Sequence, residues 1–410
     1  MSVTVLKSRV SGPLEAVLPA FAEELTRLGF TRTSAEQHVC FLASLDRWMA
    51  AATLEVSDLR PDVVDAFLAH RRSVGYALYS SRRAITPLLD YLAARGLLPP
   101  DDPSPLSPVE RLLQEYGSYL AVERGLAGET VRCYLRCVRP FVETRVRGEE
   151  LDLTSLTTGD VTRYVTDVCP GMAKGSAKLV VTTLRSFLGW LHLTGAVPVA
   201  LGGAVPAAAG WRLARLPEPL EPDATGRLLA SCDRGKAVGR RDYAILLVLV
   251  RLGLRAGEVA CLRLNDLDWR HGEIAVTGKG NRTERLPLPA DVGAAISCYL
   301  RRGRPKTALD RAVFVRVRAP HRSLSQSGVS TVVRNAASRA GLQAMAAHQL
   351  RHTTATTMLR SGSTLTEVGQ VLRHRTAFST AIYAKVDRDA LRILAVSWPA
   401  AAADVVGGES

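Results

Sequence analysis

The stretch HQLRHTTATTMLRSGSTLTEVGQVLRHRTAFSTAIYAKV, residues 348–386, decides how this chain is read. His348 and Arg351 stand at i and i+3, which on a helix places them on one face. His352 follows Arg351 directly and points elsewhere on such a helix, so a structural role is expected for it. His374 and Tyr383 come next, nine positions apart. Upstream, Arg255 and Lys279 complete an ordered set of basic donors around one phenol. Phosphoryl transfer is catalysed mostly by positioning and by electrostatic stabilisation of charge on the phosphate oxygens. A guanidinium grips two such oxygens at once and stays charged. The set therefore points to a DNA strand-cutting enzyme that links covalently to its substrate through Tyr383. Tyr243 and Tyr299 lie in apolar helical patterns and read as core residues instead.

Working outward, RRDYAILLVLVRLGLRAGEVACLRLNDLDW (240–269) reads as a buried helix, a break at 252–254 containing Gly253, and a second helix from about Ala256. Arg255 stands at the start of that second helix. Glu258, three residues on, faces the same side. EIAVTGKGNRTERLPLP (273–289) alternates around a glycine-rich tip and predicts a β-hairpin. Lys279 occupies the tip between Gly278 and Gly280, which let the backbone approach a ligand closely. Only seven of the 53 basic residues are lysines, so a lysine kept at this tip favours a role for it. A mobile ammonium there is suited to protonate a departing oxygen.

LGLRAGEVACLRLNDLDW (252–269), the GKG hairpin, HQLRHTTATTMLRSG (348–362) and VLRHRTAFSTAIYAKV (371–386) together resemble tyrosine recombinases of the phage-integrase family. The likeness covers roughly residues 221–395 directly, and residues 105–200 more loosely resemble the family's helical core-binding domain. The resemblance implies that Arg255, His348, Arg351 and His374 hold the phosphate, that Glu258 orients them, and that Lys279 acts as general acid. Tyr383 would be the nucleophile, giving a 3′-phosphotyrosyl link and a free 5′-hydroxyl, so that religation needs no ATP. It further implies double-stranded DNA as substrate, two protomers per site and four in the synapse, an open question of partner recombinases, and no metal or cofactor. The expected context is integration, excision or transposition of a mobile element. Two readings stand beside it: a non-catalytic DNA-binding accessory protein of the same fold, and a type IB topoisomerase-like relaxing enzyme. The chain departs from the family at Arg373, where glycine usually precedes the histidine, and at Lys385, where a histidine sometimes follows the nucleophile. Leu391, Leu394 and Trp398 stand at helical spacing, as a C-terminal segment that docks on a neighbouring protomer or on its own domain.

The first half shows one pattern twice. PLLDYLAARGLLP (87–99) aligns with SFLGWLHLTGAVP (186–198), DVVDAF (62–67) with DVTRYV (160–165), and 29–45 with 125–141. Each unit predicts about four helices ending in Gly then Pro. The expected fold class is thus mainly α with a small β-hairpin or sheet (α+β) in the catalytic part. A helical bundle over 1–104, a core-binding bundle over 105–204 and a catalytic domain over 205–410 are expected, with linkers near 98–108 and 197–219. Net charge is −1 over 1–104, +1 over 105–204 and +14 over 205–410, so the basic excess lies in the part expected to meet a polyanion. Near neutrality in the first bundle favours protein contacts there. The seven cysteines have no CxxC pairing or zinc spacing, and buried thiols in a reducing cytoplasm are expected. No acidic cluster suited to Mg²⁺ is evident. The N-terminal residues lack a continuous apolar run, and Tyr243–Val250 is too short to span a membrane. A cytoplasmic protein with no membrane association is expected.

Overall fold

The computed structural model describes residues 12–98, 106–207, 220–221, 223–278, 282–374, 376, 380 and 383. It is mainly helical with a small sheet in the C-terminal part, as the sequence predicts, and has a second, two-stranded sheet that the sequence reading does not include. Residues 1–99 and 215–410 belong to one compact unit, and 100–214 to another.

Helices α1 (Leu18–Arg27), α2 (Arg32–Ala51), α3 (Pro61–Ser73) and α4 (Arg82–Ala93) form the first bundle. Phe21, Leu25, Phe41, Leu42, Phe67 and Leu92 fill its core. The second unit repeats the order with α5 (Pro108–Val122), α6 (Gly128–Glu143), α7 (Thr158–Val168) and α8 (Lys174–Leu193). A two-stranded ribbon, β1 (Val146–Arg147) and β2 (Glu150–Leu151), is inserted between α6 and α7. The aligned glycines also match in backbone. Gly96 and Gly195 follow α4 and α8 at φ +66° and +77°, and Gly29 and Gly125 precede α2 and α6 at +84° and +58°. These left-handed positions explain why glycine recurs at these matched helix boundaries.

The first residues of the linker expected at 197–219 belong instead to the second core. Val197, Leu201 and Val205 are buried in the second core, and Leu201–Ala204 forms a 3₁₀ turn. The Ala, Gly and Pro content concealed three apolar residues spaced four apart. Pro108 likewise belongs to α5, where its missing N–H falls in the first turn and Ser107 Oγ accepts from Glu110 N–H. The thiols are not uniformly buried as expected: Cys232 is buried, whereas Cys40 and Cys261 are exposed. Small thiols on amphipathic helices carry too little apolar area to dictate a helix's facing.

The C-terminal part is built around α10 (Ala237–Leu252), preceded by α9 (Ala224–Ala230). Against α10 pack α12 (Ala290–Arg302), α13 (Gln326–Arg339) and α14 (Ala347–Arg360). Leu246, Leu249, Ile296, Val333 and Leu350 form the middle of this core. The predicted break is present: α10 ends at Gly253 in the left-handed region (φ +56°), and α11 (Ala256–Cys261) follows. A Cβ on Gly253 would lie 2.7 Å from Leu372 Cδ2, so the position needs glycine for space as well as for conformation. The hairpin forms from β4 (Glu273–Thr277) and β5 (Thr283–Pro287), paired Thr277 to Thr283 nearest the tip, with β3 (Leu267–Asp268) on the other side of β4. Helix α15 (Leu365–Val371) closes against α14. Ala355, Val368 and Leu372 form a separate small apolar cluster there, and it surrounds the ring of Tyr383.

Within the same unit the first bundle touches the C-terminal part. Arg322 donates to Asp90 at 2.8 Å, and a Cβ on Gly29 would lie 2.6 Å from His321 Cδ2. No helix among the described residues is long and apolar enough to cross a membrane.

Candidate active site

Arg255 caps α11 from the residue before it. Its N–H donates to Glu258 Oε2 at 2.8 Å and its Nη1 to Glu258 Oε1 at 2.6 Å. Glu258 is buried while the Arg255 side chain stays 44 % exposed, so the carboxylate anchors a guanidinium whose outer face remains open. The expectation that Glu258 orients basic groups thus has a geometry: one carboxylate holds a helix start and an arginine at once.

Arg373 supplies the third donor to that carboxylate, Nη2 to Oε2 at 2.6 Å, with both side chains 5 % exposed. Its backbone is left-handed at φ +55°. This conformation is nearly free for glycine and strained for arginine, which accounts physically for the glycine usual at this place. The arginine here turns the guanidinium inward and ties the turn after α15 to Glu258 in the first turn of α11. Arg373 Nη1 is buried without a hydrogen-bond partner among the described residues.

Arg351 is 6 % exposed and donates through Nη1 to the Gly253 carbonyl and through Nη2 to the Leu372 carbonyl. It therefore fastens the ends of α10 and α15 together from its place on α14. A guanidinium carries five N–H donors, so three remain for another acceptor. Burial, with Arg255 nearby, pulls the Arg351 pKa down to about 10, which still leaves it charged at neutral pH.

His374 Nδ1 lies 2.8 Å from Thr380 Oγ1, and its ring stacks parallel to that of Tyr383 with centroids 6.2 Å apart. Burial first, then Arg351 and Arg255, push its pKa down to about 4. The imidazole is neutral at pH 7. When Thr380 donates to Nδ1, Nε2 carries the hydrogen and becomes the outward donor. Tyr383 is 1 % exposed. Burial raises the pKa of its phenol, while Arg351 and Arg255 draw it back.

The structure thus brings together Arg255, Glu258, Arg351, His374 and Tyr383. His348 is exposed at the start of α14, its ring edge-on to His352 at 5.6 Å. Lys279 lies outside the described residues, as does the helical segment expected at 387–398. The neck of the hairpin does reach the site. Gly278 N–H donates to the Arg282 carbonyl at 2.8 Å, and a Cβ on Gly278 would stand 3.7 Å from Glu258 Oε1.

One expectation is corrected. His352 does not point away from the cluster: its Nδ1 is 2.6 Å from Tyr383 Oη. Arg351 and His352 are adjacent and differ in direction, but His348 and His352 are four apart and share one face. That spacing was the available signal. Thr380, which fixes His374, carried none.

Residues 218–389 match the phage integrase family, and residues 113–195 match the N-terminal SAM-like domain of phage integrases. The "Putative integrase/recombinase y4rA" of Sinorhizobium fredii is 39% identical over 394 residues, covering 95% of each chain. Tyrosine recombinase XerD of Listeria monocytogenes is 29% identical over 285 residues, covering 68% of this chain and 94% of its own length. Among solved structures, the XerH site-specific recombinase bound to palindromic difH has a similar fold (TM-score 0.54, 17% identity, 82% of this chain and 94% of that one). A lambda integrase(75–356) dimer bound to a COC′ core site has a TM-score of 0.52 at 17% identity, covering 67% of this chain and 94% of that one. The fold and the matched segments define a helical integrase-type protein. The chain belongs to the tyrosine recombinase, or phage integrase, family of site-specific recombinases.

Proposed function

We propose that this protein cleaves and rejoins double-stranded DNA through a 3′-phosphotyrosyl intermediate formed at Tyr383, as a recombinase acting in the cytoplasm on a mobile element. The observation that carries this reading is the Tyr383 phenol beside His374, with Arg351 and Arg255 close enough to lower its pKa. Arg255 and the free N–H groups of Arg351 hold the non-bridging oxygens of the scissile phosphate, with His348 and His374 as further donors. Tyr383 Oη attacks phosphorus, and Lys279, carried on the hairpin whose neck lies beside Glu258, protonates the departing 5′-oxygen. Rejoining runs the same steps backward with a new 5′-hydroxyl.

The basic excess of the C-terminal part and the bundle over 105–204 both serve DNA binding, mostly through phosphate contacts that weaken steeply with salt. Two protomers occupy one site and four assemble in the synapse, with the near-neutral first bundle over 1–104 contributing protein contacts. Deleting residues 1–104 then leaves affinity for a single site intact and abolishes assembly. Loss of single-site binding would contradict that division of labour.

The test of the chemistry uses nicked duplexes cut from DNA flanking the gene, with adducts resolved on a denaturing gel. Wild type forms a protein–DNA adduct and Tyr383→Phe does not. Specific binding with no adduct on any substrate spanning the bound site would instead indicate an accessory DNA-binding protein.

A further inference from the structure

We infer that His352 is the proton acceptor for Tyr383 in cleavage and the proton donor to it in rejoining, a role that rests on the phosphotyrosyl reading above. The phenol packs with Ala355, Val368 and Leu372 and is 1 % exposed, so a neighbouring side chain rather than bulk water is placed to take its proton. A neutral phenol is a weak nucleophile, and burial raises its pKa further. An acceptor in direct contact with the hydroxyl is therefore required. His352 Nδ1, 2.6 Å from Oη, meets that requirement.

Two other basic groups near the ring, His374 and Arg351, are engaged or wrongly placed. His374 Nδ1 is taken by Thr380, and its ring lies parallel to the phenol rather than in line with the hydroxyl. Arg351 is a cation bonded to two carbonyls and cannot accept. His352 itself is half-buried, and burial, His348 and Arg351 all lower its pKa, so it enters the reaction neutral; in the tautomer with the hydrogen on Nε2, Nδ1 accepts from Oη.

The Oη–H bond breaks and its proton passes to His352 Nδ1, giving an imidazolium, while the Oη–P bond forms. The P–O5′ bond breaks and the 5′-oxygen leaves with a proton from Lys279. In rejoining, a 5′-hydroxyl attacks phosphorus and gives its proton to the neutral Lys279 amine, the Oη–P bond breaks, and the imidazolium returns its proton to Oη. The imidazolium forms against His348 and Arg351, which favours rapid return of the proton.

The test is single-turnover cleavage by the full-length protein on a nicked duplex, and on the same duplex with a 5′-bridging sulfur. Sulfur leaves without protonation, so the second substrate removes the leaving-group proton from the pH profile. With it, wild-type rate rises with pH to a plateau whose midpoint lies below the ordinary histidine value. His352→Ala and His352→Asn lose on the order of 10² in rate at pH 7, lose that midpoint, and bind DNA with unchanged affinity. Added imidazole partly restores His352→Ala. Asn is the discriminating variant, because its side-chain oxygen accepts the phenol hydrogen bond but takes no proton. His352→Asn at wild-type rate and profile overturns the proposal and leaves His352 as a seat for the ring. Absence of adduct in wild type would instead overturn the underlying phosphotyrosyl reading.

Discussion

Arg373 offers a measurement in which opposing effects are separable. At φ +55° any side chain beyond glycine is strained, by roughly 1–2 kcal/mol. The arginine also forms a buried pair with Glu258 at 2.6 Å. Removing one partner of a buried pair costs about 3–5 kcal/mol. Removing Arg373 also eliminates the unpartnered Nη1, a relief of about 1–3 kcal/mol. These terms leave wild type more stable than either truncation by roughly 1–2 kcal/mol. The comparison of Arg373→Gly with Arg373→Ala is sharper, since both lose the same guanidinium and the pair cancels. Alanine keeps the strain; glycine releases it but frees the unfolded chain by about 0.4–1 kcal/mol. The glycine variant is therefore expected to be the more stable by about 0.5–1 kcal/mol, or roughly 1–4 °C in the melting of a unit this size. Urea midpoints on the full chain, with fluorescence and circular dichroism in parallel, give the order Arg, then Gly, then Ala. An alanine variant as stable as the glycine variant would refute the strain argument.

Three further outcomes follow from the site. His374, held near pKa 4 by burial, Arg351, Arg255, His352 and Arg373, resists protonation when folded but accepts it near 6.5 when unfolded. Its contribution is fully present above pH 6.5 and is lost as pH falls toward 4, by up to about 3 kcal/mol. Stability curves of wild type and His374→Gln should converge over that window, and parallel curves would contradict it. Gly253→Ala adds left-handed strain and a close contact with Leu372, so a loss of about 2–4 kcal/mol is expected in urea unfolding. It also disturbs the carbonyl that holds Arg351, so cleavage should fall more than DNA affinity. Glu258→Gln leaves Arg373 buried without a counter-charge and should cost about 3 kcal/mol, with cleavage weakened in the same variant.

Much of the arrangement was legible because it is local. The Gly253 break, the helix from Ala256 and the hairpin over 273–289 each follow from residues adjacent in sequence, and each is present. The two four-helix patterns were readable from periodicity and recurring glycines. What escaped depends on contacts across the chain. Arg373 was visible as a departure, but its bond to Glu258, 115 residues away, follows only from how α15 closes against α14. The bond between His352 and Tyr383 requires the phenol to fold back over α14, which no local pattern encodes. The second linker was misplaced for the same reason, since Val197, Leu201 and Val205 acquire meaning only against the core they fill.

The most direct test is to digest the protein–DNA adduct and identify by mass the residue carrying the nucleotide. A nucleoside 3′-phosphate esterified to Tyr383 is expected on the peptide containing that residue, and no such adduct from Tyr383→Phe. A nucleotide attached to any other residue, Tyr243 or Tyr299 included, would contradict it.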